Sequence, residues 1–492
     1  VDLEHRFDVI IVGAGPAGIF AALELARRSS LRILLVEKGC DISERRCPAR
    51  TTGICAHCDP CDITCGWGGA GAFSDGKLTL SPEVGGWLGE YLDPPQLLEA
   101  ISEVDRLWRE FGAPETLHGT DPERVDSWRT KALTHRLKLI DSPIRHMGTE
   151  RCVEVLGAMR RELEGRVTVL TDTSVARLTV ELSGAPADGA LAAPVAGRSN
   201  AFVQGDVIVP AADRRVTGVV TDSGEEFAGP VVILAPGREG ASWLKDEAGR
   251  LGLSVTSNAV DIGVRVEVPA VFTDAITADL YEPKLLYSSA YFEDPVRTFC
   301  MNPHGVVSTE SYGDVVTVNG HSYADHEQRT LSTNFALLVS TRFTQPFNDP
   351  IAYGKSIARL ANLLGSDVIV QRLVDLQVGR RTTPERLARC TAPPTLPEAT
   401  PGDLSFALPY RHQRDIFDML QALDGLLPGV AGRDTLLYGV EVKFYSSRLE
   451  LDRGLRTTVD GLYAVGDGAG VTRGLVQASA SGLVAARAVL GG

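Results

Sequence analysis

An α/β fold is predicted: a Rossmann-like dinucleotide-binding domain, discontinuous in sequence, with an inserted α+β substrate domain. Three observations predict it. A buried-strand run, Asp8 to Val12, turns through Gly13-Ala14-Gly15-Pro16-Ala17-Gly18 into an apolar helix reaching about Arg28. A second apolar strand, Leu31 to Val36, follows and ends on Glu37, 19 residues after Gly18. Much later, Val231 to Leu234 closes on Ala235-Pro236-Gly237, and Gly461 to Asp467 runs through a glycine-rich turn into a helix from Leu475 to Leu490.

Length and composition bound what such a chain can do. At 492 residues it has room for two or three domains, or for one nucleotide fold with large insertions. A net charge of -14 with no basic run argues against a nucleic-acid partner, whose phosphates need clustered Lys and Arg. No apolar run approaches the ~20 residues of a membrane span, and the polar stretch Val1 to Phe7 leads straight into a strand rather than a signal peptide. A cytoplasmic protein with no membrane partner is expected.

The fingerprint assigns roles to its residues. Gly13 permits the tight turn, Gly15 lets the main chain approach a pyrophosphate, and Gly18 lets helix and strand pack closely. The amides that follow Pro16, from Ala17 onward, and the helix dipole favour phosphate. Glu37, with Lys38 beside it, stands where a carboxylate accepts hydrogen bonds from an adenosine ribose.

Further along, residues 83–143 are mixed, rich in Trp, Pro and charge, and read as an insertion with a helix near Leu97 to Phe111. An amphipathic helix is expected from Gly148 to about Glu164, then strands at Val167 to Leu170 and Val175 to Val180. The Ala-, Gly- and Pro-rich stretch Gly184 to Asn200 reads as an exposed loop. The predicted dinucleotide domain comprises 1–82, 144–250 and 455–492, with a cysteine loop at 40–66. The substrate domain comprises 83–143 and 251–454.

Six of nine cysteines crowd between Cys40 and Cys65, which suits a metal or redox site better than a disulfide framework. The spacing Cys55-x2-Cys58-x2-Cys61-x3-Cys65 is that of ferredoxin loops holding a [4Fe-4S] cluster. Cys65, Cys47 or Cys40 could supply the fourth thiolate. Zinc is the competitor, with His57 able to replace one cysteine, and metal-free thiols are the plain alternative.

The fingerprint, the Ala235-Pro236-Gly237 strand end and the late Gly466-Asp467 together resemble the glutathione reductase-like, two-dinucleotide-binding-domain flavoproteins. The resemblance implies that the dinucleotide is FAD, that Asp467 binds its ribityl chain, and that Gly474, Leu475 and Val476 present amides to the pyrimidine end of the flavin. It places Gly69, Gly71, Pro236, Gly237 and Gly466 around the same cofactor. More closely, Gly68 to Lys77, Phe299 to Pro303, Val318 to Tyr323, Gly379 to Thr383 and Gly439 to Glu441 look like a family of poorly characterised bacterial and archaeal FAD-dependent dehydrogenases. That family often has a second cysteine two residues after the one matching Cys300. Here the position is Asn302, which counts against a redox-active pair.

The candidate catalytic residues are Lys77 and Arg473, which the resemblance brings near the flavin, and His304 and His321, since an imidazole can donate or accept a proton. Each also has a plain reading as a solvated or structural side chain. Arg380 and Arg381 form a cationic pair that could bind an anionic substrate, and Tyr438 and Glu441 are weaker candidates. The expectation is an FAD-dependent oxidoreductase acting on a C–C or C–N bond of a small organic substrate, with an iron-sulfur relay. Only one Rossmann fingerprint is found, so the electron partner is expected to be a ferredoxin-like carrier or transiently bound NAD(P)H. The alternatives are a flavin monooxygenase, or a non-catalytic electron-transfer or redox-sensing flavoprotein with structural zinc.

Overall fold

A computed structural model describes residues 3–48, 56, 58–182, 201–204, 207–210, 214–312, 314–323, 326–341, 343, 349–365 and 367–491. The expected 184–200 loop lies outside the described residues, as do Cys55 and His57. The chain divides into two compact units. Val1–Glu115, Arg145–Ser257 and Ser446–Gly492 form the first, and Thr116–Ile144 with Asn258–Tyr445 form the second.

In the first unit, Val9–Val12 and Ile33–Val36 are unbroken runs of Val, Ile and Leu, buried at every position. Such runs suit the middle of a parallel sheet covered on both faces. They sit there: the five parallel strands run in the order Leu462–Ala464, Val231–Leu234, Val9–Val12, Ile33–Val36, Val167–Leu170. The fingerprint helix Pro16–Arg28 packs main chain to main chain on the helix Leu475–Gly491, since a Cβ at Gly482 would lie 2.0 Å from the Ala17 carbonyl oxygen. A three-stranded antiparallel sheet of Glu226–Ala228, Arg214–Thr221 and Val175–Leu182 belongs to the same unit.

The boundary expected at residue 83 is corrected: residues 83–115 belong to the first unit. The helix Pro94–Glu110 buries Leu97, Ala100, Ile101, Val104, Leu107 and Trp108 in the core that holds Phe20 and Leu23, with the Trp108 and Phe20 rings 5.6 Å apart. Its charged residues fall largely on the other side of an ordinary amphipathic helix, so bulk composition misread it. The borders expected at 143, 250 and 454 fall at 144, 257 and 445.

The second unit is built on an eight-stranded sheet in the order Thr400–Pro401, Ile369–Arg372, Leu436–Lys443, Val260–Pro269, Ser332–Thr341, Pro295–Asn302, Lys284–Ser288, Lys138–Ile140. Its central strand alternates with period two. Val260, Ile262, Val264, Val266 and Val268 face a core shared with Ile357 and Ala358 of the helix Pro350–Gly365 and with Ile416, Met419 and Leu420 of the helix Tyr410–Leu426. Asp261, Arg265 and Glu267 face the other way and are buried as well. The hairpin Val306–Tyr312 and Val315–His321 joins that polar side, Asn319 accepting from Arg265 at 3.1 Å and Glu310 accepting from Lys443 at 3.0 Å.

The helix Tyr410–Leu426 also buries two titratable groups, which makes a testable pair. Burial pushes His412 down to about 4, its Nε2 lying 3.1 Å from the Thr341 hydroxyl. Burial pushes Asp415 up to about 6, beside the Asp294 carboxylate that accepts from Arg411 Nη2 at 2.7 Å. Arg411 holds Asp294 below the usual carboxylate range, outside this window. From about pH 4 to 6.5 the unfolded imidazole takes up a proton that the folded one refuses, so stability from His412 rises with pH. From about pH 4 to 6 folded Asp415 keeps a proton that the unfolded chain releases, so its contribution falls as pH rises. The slopes oppose. Thermal midpoints measured across this range should climb with pH in Asp415→Asn and fall with pH in His412→Gln, with the unmutated chain flatter than either.

Candidate functional site

Three strand ends of the parallel sheet build one cradle in the first unit. After Val12 the chain turns at Gly13, whose φ of +105° and a would-be Cβ 2.2 Å from the Ala235 carbonyl oxygen admit only glycine. The Gly13 amide donates to the Val36 carbonyl at 2.7 Å. A Cβ on Gly18 would lie 1.9 Å from Gly13 O, so the first turn of the helix sits directly on the loop. At Gly15, the N-cap, a Cβ would meet nothing within 4 Å, and no side chain caps the helix. The amides following Pro16 therefore open onto unfilled space, which suits a phosphate at a helix N-terminus.

Val231–Leu234 brings Pro236 and Gly237 to the same end of the sheet, and Leu462–Ala464 brings Gly466, where a Cβ would lie 3.0 Å from Ala17 Cβ. Ligands of open α/β sheets bind at this carboxyl edge. Asp467 accepts from the Thr472 hydroxyl at 2.9 Å and from the Gly474 amide at 3.4 Å. Burial raises its carboxyl above the usual range, opposed by the charges of Arg238 and Arg473. Gly474 has φ +98° and nothing within 4 Å of a would-be Cβ, so the approach to the helix Leu475–Gly491 is open too. The turn Gly69–Phe73 forms a further wall: a Cβ at Gly69 would stand 3.1 Å from Gly15 Cα, and one at Gly71 would stand 2.6 Å from Leu475 Cδ2.

Residues 8–258 match the family model described as FAD dependent oxidoreductase, and residues 259–444 match the one described as FAD-dependent protein, C-terminal domain-like. The chain belongs to the FAD-dependent oxidoreductase family. An uncharacterized protein of Clostridium beijerinckii is 25% identical over 513 aligned residues, covering 98% of this chain and 80% of the relative. Among solved structures, a glycine oxidase from Geobacillus kaustophilus is 14% identical, covering 99% of this chain and 92% of that one at a TM-score of 0.32. The L-amino acid deaminase from Proteus vulgaris is 13% identical, covering 100% and 95% at a TM-score of 0.37.

The cradle fits the cofactor of this flavoenzyme family, because its space is open where Gly15, Gly237 and Gly474 carry no side chain. Glu37 is more heavily engaged than its sequence position suggests. Its Oε2 accepts from the Ala14 amide at 2.7 Å, and its Oε1 accepts from Gly39 at 3.0 Å and Gly66 at 2.9 Å. Among the described residues, no second donor reaches Oε2. The Lys38 charge acts on the Cys65 thiol, opposing the rise that burial imposes there.

The candidate catalytic residues divide between the units. Lys77 opens the strand Lys77–Thr79, is 7% exposed and pairs with Asp75 at 3.0 Å. Arg473 donates its main-chain amide to Gly85 O, and its charge reaches Asp467. His304 lies in the second unit with both ring nitrogens engaged, Nδ1 2.9 Å from Thr330 O and Nε2 3.1 Å from the Asp274 carboxylate. His321 ends the strand Val315–His321, its ring edge-on to Tyr323. Arg380 is tied to Asp375, Glu441 to Arg265 and Tyr438 to Glu267, while Arg381 reaches Pro401 O at 3.4 Å.

Among the cysteines, Cys58 is exposed, Cys61 half-buried and Cys65 buried. Burial raises the Cys65 thiol, and burial with Asp62 pushes Cys40 up to about 11, so both favour the protonated form. Among the described residues no three His, Cys, Asp or Glu side chains gather to hold a metal. The expected tetrathiolate includes Cys55, which lies outside the described residues, and no electron step is derived through a cluster.

Two residues near the cradle were assigned no role from the sequence. Trp67 is fully buried, its indole N–H donating to Leu156 O at 2.8 Å. Arg45, 5% exposed, lies within the 40–66 cysteine loop. Only a basic residue shortly after the second strand could have hinted at it.

Proposed function

We propose that this FAD-dependent oxidoreductase is a dehydrogenase or reductase acting on a carbon–carbon or carbon–nitrogen bond of a small organic substrate, with its closer kinship in the glutathione reductase-like superfamily. The observation that carries the reading is the pair of open, glycine-lined helix N-termini, at Pro16 and Leu475, at the carboxyl edge of one sheet. The amides from Ala17 onward would hold the pyrophosphate, and Glu37 Oε2 a ribose hydroxyl. Asp467 would hold the ribityl chain. The amides of Gly474, Leu475 and Val476 would face the pyrimidine edge, where their partial positive charge favours an anion. FAD, when bound, supplies a reversible two-electron acceptor. Lys77 and Arg473 are proposed to hold anionic groups, and His304 and His321 remain the residues proposed to move a proton.

Electrons are proposed to pass to or from NAD(P)H or a ferredoxin-like carrier. The test is anaerobic. Heat-released cofactor should match FAD at about one per chain, and at least one of amines, amino acids or unsaturated acids should bleach or restore the flavin band in rapid mixing. If none does, and a separate aerobic assay shows oxygen consumed with hydroxylation of an added aromatic, the monooxygenase alternative takes over. Iron analysis of the same sample decides the cysteine loop: about four irons per chain would reinstate the relay, and flavin without iron leaves the external carrier.

A further inference from the structure

We propose that Arg45 is the positioning residue of the FAD site, a clamp that fixes the 61–69 segment so that the Gly66–Gly69 turn can wall the dinucleotide loop. The inference rests on the FAD assignment and adds a residue that no motif singles out. All five N–H groups of its guanidinium meet main-chain carbonyl oxygens. Nε and Nη2 reach Asp62 O at 2.9 and 2.7 Å, and Nη2 also reaches Ile63 O at 3.0 Å. Nη1 reaches Trp67 O at 2.6 Å and Gly69 O at 2.9 Å. Only arginine offers five donors in one rigid plane. The Phe73 ring lies against the cation, 4.8 Å from centroid to guanidinium carbon.

The clamped segment is what the nucleotide loop leans on. Gly68 donates its amide to Ala14 O at 2.8 Å, in the middle of the fingerprint. Gly69 stands against Gly15, with 3.1 Å between a would-be Cβ and Gly15 Cα. From the other side, Glu37 accepts from Gly66 at 2.9 Å and from Ala14 at 2.7 Å, bridging the same two segments. Arg45 thus acts through the turn: its carbonyl partners set where Gly66–Gly69 lies, and that turn sets the width left at Gly15. The partners include Asp62 and Ile63, inside the Cys61–Cys65 loop, so the loop and the cradle move as one piece.

FAD affinity tests this directly. Apoprotein of the unmutated chain, Arg45→Lys and Arg45→Gly is titrated with FAD by fluorescence quenching, alongside far-UV circular dichroism and thermal midpoints of each apoprotein. Arg45→Lys should bind FAD about tenfold or more weakly while keeping its circular dichroism. Arg45→Gly should bind more weakly still and recover affinity on addition of guanidinium ion, which fills the vacated space. FAD dissociation constants within twofold of the unmutated chain in both variants, or unfolded Arg45→Lys apoprotein, would overturn the proposal. Failure of the unmutated chain to bind FAD would instead strike the family-based reading.

Discussion

Gly15→Val should abolish FAD retention while leaving the apoprotein folded. Any Cβ there projects into space with no protein atom within 4 Å, and the residue's φ of -73° is open to every amino acid. The fold therefore loses only the difference between glycine and a poorer N-cap, of the order of 1 kcal/mol. A phosphate drawn to the amides following Pro16 meets the new methyl groups instead. The expected loss is about 100-fold or more in affinity, ~2.7 kcal/mol. Gly18→Val is the contrasting variant, because its Cβ would strike Gly13 O at 1.9 Å and must disturb the protein itself. Circular dichroism with FAD titration separates the two. Equal apoprotein damage in both would mean that the Gly15 side is not the cofactor's.

The second large effect is expected at the buried charges of the other unit. Arg265 and Glu441 are fully buried and paired twice, Nε to Oε2 at 2.9 Å and Nη2 to Oε1 at 2.8 Å. Lys443 stands 3.3 Å from Glu441 and 3.0 Å from Glu310, so two cations face two anions. Arg265→Leu leaves two carboxylates against one ammonium, and Glu441→Leu leaves two cations against one carboxylate. Either single change should cost about 3–5 kcal/mol in urea unfolding. The double variant leaves the Lys443–Glu310 pair neutral and should be more stable than either single one. Additive losses would show that the pair is not coupled.

What the sequence revealed and what it hid follow from how each feature is encoded. The cradle was legible because strand, glycine turn and helix are local signals, repeated at Val9–Gly18, Val231–Gly237 and Leu462–Val476. Arg45 was illegible because its partners are carbonyl oxygens, which every residue carries. Arg265 and Glu441 lie 176 positions apart, and nothing in the spacing of either points to the other. The helix Pro94–Glu110 was visible as a helix, but its unit was misassigned because composition averages over a buried and a wet face. The cysteine spacing was plain, yet a ligand set is a matter of convergence in space, and Cys55 lies outside the described residues.

The strand Leu462–Ala464 and the helix Leu475–Gly491 complete a sheet whose other four strands are encoded before residue 235. Asn258–Tyr445, most of the second unit, is encoded in between. At about 5–20 residues per second, its synthesis separates the early strands from their last partner by roughly ten to forty seconds. Through that interval the nascent chain has the pyrophosphate loop but lacks Asp467 and the amides at Leu475. On the proposed cofactor site, the full set of flavin contacts exists only after translation has passed the second unit.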